Sequence, residues 1–115
     1  SLSCTLTVWI GASTTATDQQ VKDAIVEALV SYLQGIPIGG FDLGSGGIVP
    51  LRGGLEEAAV GEAPSGSATG SGAKKLARVM KLVFASPSAD TSLTASQVPI
   101  LSGTPTITVN RVAGA

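Results

Sequence analysis

Residues 17–39 read TDQQVKDAIVEALVSYLQGIPIG, and the fold turns on that stretch. Thr17 stands at an N-cap position with Gln20 three residues on, the spacing of a capping box. Asp18, in the first turn, suits the positive end of a helix dipole. Val21, Ile25, Ala28, Leu29, Tyr32 and Leu33 recur at the helical period and make one apolar stripe, with Lys22, Asp23, Glu27 and Ser31 off it. Gly35 occupies the place of a left-handed C′ residue, and Pro37 forbids continuation. The spacing predicts a helix over 17–34 whose greasy side must lie on a second apolar layer, which the rest of the chain should supply as a sheet.

The chain of 115 residues has length for one hydrophobic core. Apolar residues make up 43% and charged residues 13%, a composition that folds; with aromatics at 3%, the core must be aliphatic. A net charge of −1 offers no general attraction to nucleic acid or membranes. No apolar run approaches the ~18 residues of a membrane span, and the N-terminus lacks the basic and apolar regions of a signal peptide. The chain opens on Ser1 with no initiating Met, which suggests a processed or excised piece.

Upstream of the helix, Leu2, Cys4, Leu6, Val8 and Ile10 alternate with small polar residues and Trp9, the period of a strand with one buried face. Downstream, 39–47 (GGFDLGSGG) reads as a flexible connection that Phe41 and Leu43 can anchor. Ile48 and Val49 form a short extended piece. Pro50 then opens a second, shorter helix over 50–60, with Leu51, Leu55, Ala58 and Ala59 on one side and Gly53-Gly54 weakening it. The Gly/Ser-rich stretch 61–72 reads as a flexible loop reaching residue 73. Residues 74–86 predict a strand with Met80, Leu82 and Phe84 on one face. Its other face, Val79, Lys81, Val83 and Ala85, is also largely apolar, which places the strand centrally in the sheet. Residues 88–96 form a polar connection in which Asp90 and Ser92 hold local turns. Pro99 marks 98–101 as edge-like, and 104–112 alternate again as a third strand. The result is a single α+β domain, a two-layer sandwich with helices on one face of a mostly antiparallel sheet. A ferredoxin-like arrangement is one form of that plan; the strand order is not readable.

Chemistry is sparse. Without histidine, Ser-His-Asp and Cys-His sites are excluded. The single Cys4 can form neither an internal disulfide nor a thiolate metal cage, and on the inward side of a strand it reads as a small hydrophobe. Asp23 and Glu27 lie four apart on a helix, in a pattern that reads as a solvated face. The glycine-rich stretch before Lys74-Lys75 lacks the Gly-Lys-Ser/Thr that a phosphate loop places at a helix start. No catalytic residue, metal ligand or cofactor site is therefore expected, and no enzyme. Two surface features remain. Lys74, Lys75, Arg78 and Lys81 cluster downstream of Glu56, Glu57 and Glu62. That pattern reads either as a charged protein contact or as a solvated strand start that discourages aggregation. No aromatic residues interleave with the lysines, which disfavours nucleic acid. Trp9, on the polar side of its strand, reads either as an interface anchor or as a residue covered by the same chain. Trp9, Lys74, Lys75, Arg78 and Lys81 are the candidate interface residues. A different reading makes the chain a small ligand- or peptide-binding module that uses the glycine-rich loops 39–47 and 61–72.

Taken together, SYLQGIPIGG (31–40), IVPLRGGLEEAA (48–59), LVFASPSADTSL (82–93) and QVPILSGTPTITV (97–109) resemble the C-terminal part of phage baseplate J proteins. The resemblance implies that Pro37, Ile38 and Gly39 form the family's post-helix turn, and that Val49, Pro50 and Leu51 lead into its second helix. It also implies that Pro87 and Asp90 form the turn after the central strand, with Pro99, Leu101 and Gly103 as the step before the last. Residues 61–72 depart from the family, which passes there through a short Pro-Gly-Val-like link. The resemblance implies a structural part of a contractile tail or related injection system, assembled in a bacterial host cytoplasm and carried in the virion baseplate. It implies partners among other baseplate and tail proteins and copies of the chain itself, with no nucleic acid, membrane, cofactor or small-molecule substrate.

Overall fold

The computed structural model describes residues 2–42, 46–66, 69–94 and 96–114. In chain order the elements are β1 (Thr5–Gly11), α1 (Asp18–Gln34), β2 (Phe41–Asp42), β3 (Gly47–Val49), a π-helical turn (Leu51–Glu56), α2 (Glu57–Val60), a 3₁₀ turn (Ala73–Lys75), β4 (Val79–Ser86), β5 (Thr91–Ser92) and β6 (Thr106–Val112). The main sheet has the order β4-β1-β6; a second sheet has the order β2-β3-β5. β1 runs antiparallel to β4 and parallel to β6, and both pairs of the small sheet are antiparallel. This is an α+β two-layer sandwich. Among the described residues its main sheet has three strands, one fewer than the βαββαβ plan of a ferredoxin-like domain. Among the described residues no helix is long and apolar enough to cross a membrane.

The capping box forms as its residues dictate. The Gln20 amide donates to Thr17 Oγ1 at 3.2 Å, and the Thr17 amide donates to Gln20 Oε1 at 2.9 Å. Val21, Ala24, Ile25, Leu29 and Leu33 are buried along α1. They meet Leu6, Val8 and Ile10 of β1 in one core that also takes in Val49, Leu55, Ala59, Ala73 and Ile107. Full burial contributes roughly 1.5–3 kcal/mol for each side chain of the size of Ile25 or Leu29, so this contact holds the two layers together. The solvated reading of Asp23 stands in an altered form: its carboxylate accepts from Gln19 Nε2 at 2.8 Å. Gly35 departs from expectation. It is right-handed, at φ −83°, with its amide donating to Tyr32 and Leu33 carbonyls. The Ile36 amide then bonds to the Leu33 carbonyl at 3.2 Å, and Ile36 lies in the core at 6% exposure before Pro37.

The expectation that the strand of 74–86 is central is corrected: β1 is central and β4 is an edge. Lys74 and Lys75 belong to the 3₁₀ turn, and the strand begins at Val79. Trp9 pairs with Lys81 but Ile10 pairs with Val79, so Met80 is an extra residue on β4. That bulge turns Met80 out to 46% exposure and leaves the inner face to Leu82 and Phe84. The apolar outer residues of β4 mark an uncovered face, not a second buried one.

The second expected helix also differs. Pro50 is the extended N-cap, and the Leu55 amide reaches the Pro50 carbonyl at 3.0 Å, a five-residue step that makes the first turn π-helical. Asp90 does not serve a local turn. Its Oδ1 accepts the Leu51 amide at 2.8 Å across 39 residues and so caps that turn. The connection 39–47, read as flexible, carries order, since Phe41 pairs with Ile48; in the polar connection 88–96, Thr91 pairs with Val49. Leu43, the other expected anchor, lies outside the described residues, as do Ser67 and Ala68 of the loop 61–73. The ends of that loop are tied, since Glu62 and Ser71 exchange backbone hydrogen bonds of 3.0 and 2.8 Å.

Arg111, which no sequence pattern singled out, clamps the start of α1 to β6. Its guanidinium donates to Asp18 Oδ1 at 3.2 and 3.0 Å, to the Thr14 carbonyl at 2.8 Å and to the Ala16 carbonyl at 2.7 Å. The ion pair is half in solvent and worth little alone, but the planar fork also holds two loop carbonyls. Arg111→Met should therefore lower the unfolding free energy by about 1–2 kcal/mol in urea titration. A change within ~0.3 kcal/mol would show that the clamp is ornamental.

Candidate functional site

The outer face of the main sheet carries Thr5, Thr7 and Trp9 from β1. Register places Trp9 beside Lys81 and Asn110, and Thr7 beside Val83 and Thr108. Strand alternation sends these side chains away from the core. Among the described residues no element of the chain lies over them, and Val83 is 42% exposed. Trp9 is half-buried because Lys81 lies across it, with Nζ 5.2 Å from the ring centroid. The lysine stem shields the indole while its charge faces the ring, an arrangement worth about 0.5–1 kcal/mol at an exposed site. Of the five candidate interface residues, the structure brings Trp9 and Lys81 together. Lys74 and Lys75 are exposed on the 3₁₀ turn, and Arg78 is exposed just ahead of β4, its carbonyl accepting the Gly11 amide at 3.0 Å. Of the basic cluster of the sequence, Lys81 lies within β4 and the other three precede it.

A second feature was not legible residue by residue. Tyr32 and Gly53 are shared by two adjoining clefts. One, of about 330 Å³, is also lined by Glu57, Gly61, Glu62 and Ser71. The other, of about 530 Å³, is lined by Phe41, Pro50, Arg52 and Asp90. Burial pushes the Tyr32 hydroxyl above the ordinary phenol range, and the negative charges of Glu57 and Asp90 add to that. The phenol thus stays protonated, a hydrogen-bond donor at the junction of the clefts. Gly54 is needed under it: a Cβ there would meet the Tyr32 hydroxyl and would lie 2.9 Å from Pro50 Cγ. The signal available in the sequence was glycine inside a helical stretch, which costs helix stability and asks for a packing reason; Gly54 has one, while Gly53 has open space around it.

Cys4 is buried at 3% exposure, and burial pushes its thiol upward, away from the reactive thiolate. Among the described residues no cluster of His, Cys, Asp and Glu is arranged to hold a metal ion. Comparison with protein-family models, with curated proteins and with solved structures finds no match to this chain.

Proposed function

We propose that the protein is a structural component of a contractile phage tail baseplate, or of a phage-like injection system, and acts by protein–protein assembly. Its partners are other baseplate and tail proteins and further copies of itself, and it works in the virion after assembly in the bacterial host. The reading rests on the combination of motifs at 31–40, 48–59, 82–93 and 97–109. The observation that carries its physical side is the outer face of the main sheet, where a partly buried tryptophan of the central strand lies among exposed Lys81, Val83, Thr108 and Asn110. Tryptophan on a face with no cover of its own is the residue type that anchors interfaces. Trp9→Ala should weaken association with copies or with neighbouring tail proteins by roughly 30-fold or more, while unfolding free energy changes by less than ~1 kcal/mol. Sedimentation and urea titration on the same samples read both. A sharp loss of stability with association unchanged makes Trp9 a core residue and removes the argument.

A second reading has one observation in its favour. Residues of both glycine-rich stretches line clefts that share Tyr32, with Gly61 and Ser71 in one cleft and Phe41 in the other. A small ligand or peptide held there would slow amide exchange in both stretches together. Unchanged exchange across a broad ligand screen, beside clear self-association, favours assembly.

A further inference from the structure

The two edges of the main sheet differ. β4 is interrupted twice, at Met80 and at Ala85, where the register with β1 shifts, and it carries Lys81. Bulges and lysines are how edges avoid pairing with other chains. β6 pairs with β1 without a shift over its whole length, from Thr106 to Val112. The Thr106 amide donates to the Cys4 carbonyl at 2.9 Å, and the Val112 carbonyl accepts the Ala12 amide at 3.0 Å. Backbone groups alternate sides along a strand, so the even positions of β6 face β1 and the odd positions face away. The N–H and C=O groups of Ile107, Val109 and Arg111 thus form an open row, and among the described residues nothing pairs with them. Pro105 stands just ahead of this stretch, but no lysine or proline lies within Thr106–Val112, and its one cation, Arg111, is engaged by Asp18 and two loop carbonyls. The core reaches the edge: Ile107 is buried at 7%, and a groove beside it, between β6 and α1, is lined by Pro105, Val26, Lys22 and Asp23.

We propose that β6 is a dimerisation edge, and that its occupant is β6 of a second copy, added antiparallel about a two-fold axis at Val109. An open row of alternating donors and acceptors fits extended backbone, and this row fits itself. With Val109 facing its own copy, Ile107 lies opposite Arg111 of the partner subunit, and Thr108 lies opposite Asn110 of the partner subunit. No like charges meet along the pair. The helix face beside the groove carries Lys22 and Asp23, one of each sign, so the two-fold brings no block of like charge together there either. Such an isologous contact extends the sheet across two protomers and closes on itself. This deepens the assembly reading and rests on it only for its biological setting.

The test is amide exchange of the whole chain at low and high concentration, with sedimentation on the same samples. The expected result is a dimer in which Ile107, Val109 and Arg111 amides slow by tenfold or more with concentration, while Thr106, Thr108 and Asn110 are slow throughout. Val109→Pro removes an outward N–H and leaves the bonds to β1 in place, so it should abolish the dimer with the three even-numbered amides still slow. If that variant fails to fold, the alternating exchange pattern of the native chain still decides. A chain that stays monomeric up to about 1 mM, or a dimer in which the odd-numbered amides stay fast, overturns the proposal. A monomer that nonetheless binds tail proteins removes the edge dimer and leaves the baseplate reading. A β6 dimer that binds none does the reverse.

Discussion

Leu55→Ala lowers the unfolding free energy by about 3 kcal/mol, with a fall in Tm of roughly 10–15 °C. Leu55 is fully buried and large, and it sits in the π-helical turn that touches α1 and β4. Removing its three outer carbons takes away their transfer free energy and leaves a cavity that the surrounding aliphatic core closes only in part. The neighbourhood has little room to relax. Gly54, on one side, is pressed under the Tyr32 hydroxyl, and the turn is pinned at its start by Asp90 on the Leu51 amide. Leu55→Met, which keeps the volume, should cost less than ~1.5 kcal/mol. Urea titration of the pair separates the cavity effect from any effect of disturbing the turn. If both variants lose the same amount, the turn and not the packing is what Leu55 supports.

Gly61→Ala should cost about 3 kcal/mol, which is surprising for a residue in a stretch that reads as low-complexity linker. Gly61 has φ +75°, where an L side chain is strained, and a Cβ there would run into the Ser71 carbonyl and lie 2.8 Å from the Gly72 Cα. The obstacle is backbone, so no rotamer change relieves it. To make room, the pairing of Glu62 with Ser71 must open, and that pairing delivers Ala73, fully buried, to the core. Gly66→Ala is the control. It also has a positive φ, +58°, but nothing within 4 Å of the added carbon, so only the conformational cost of about 1 kcal/mol applies. Equal losses in the two variants would mean that the close approach at Gly61 is not under constraint in solution.

What could be read ahead of the structure was whatever depends on neighbours in sequence. The Thr17 and Gln20 box, the stripe from Val21 to Leu33 and the inward set Leu6, Val8 and Ile10 follow from spacing alone, because capping and amphipathic patterning act over one to four residues. The candidate interface was legible in part. Trp9 on the polar side of its strand is visible from alternation, but its partner Lys81 is set by a cross-strand register that the extra residue Met80 shifts. Tyr32 is read correctly as part of the helix stripe. Its position at the junction of two clefts depends on Gly54, Arg52 and Asp90, which reach it from other parts of the chain.

By itself, then, the amino-acid order determined one capped amphipathic helix, one half-buried strand and a mostly aliphatic core, with no imidazole and a single thiol in the chain. Tertiary structure alone decided which strand is central, where the chain is π-helical, why Gly61 must be glycine and which sheet edge is left open. The reason is range. Local order is set by dihedral preferences and by contacts within a turn, whereas strand order, bulges and close backbone approach are set by segments as distant as Leu51 and Asp90 competing for the same space.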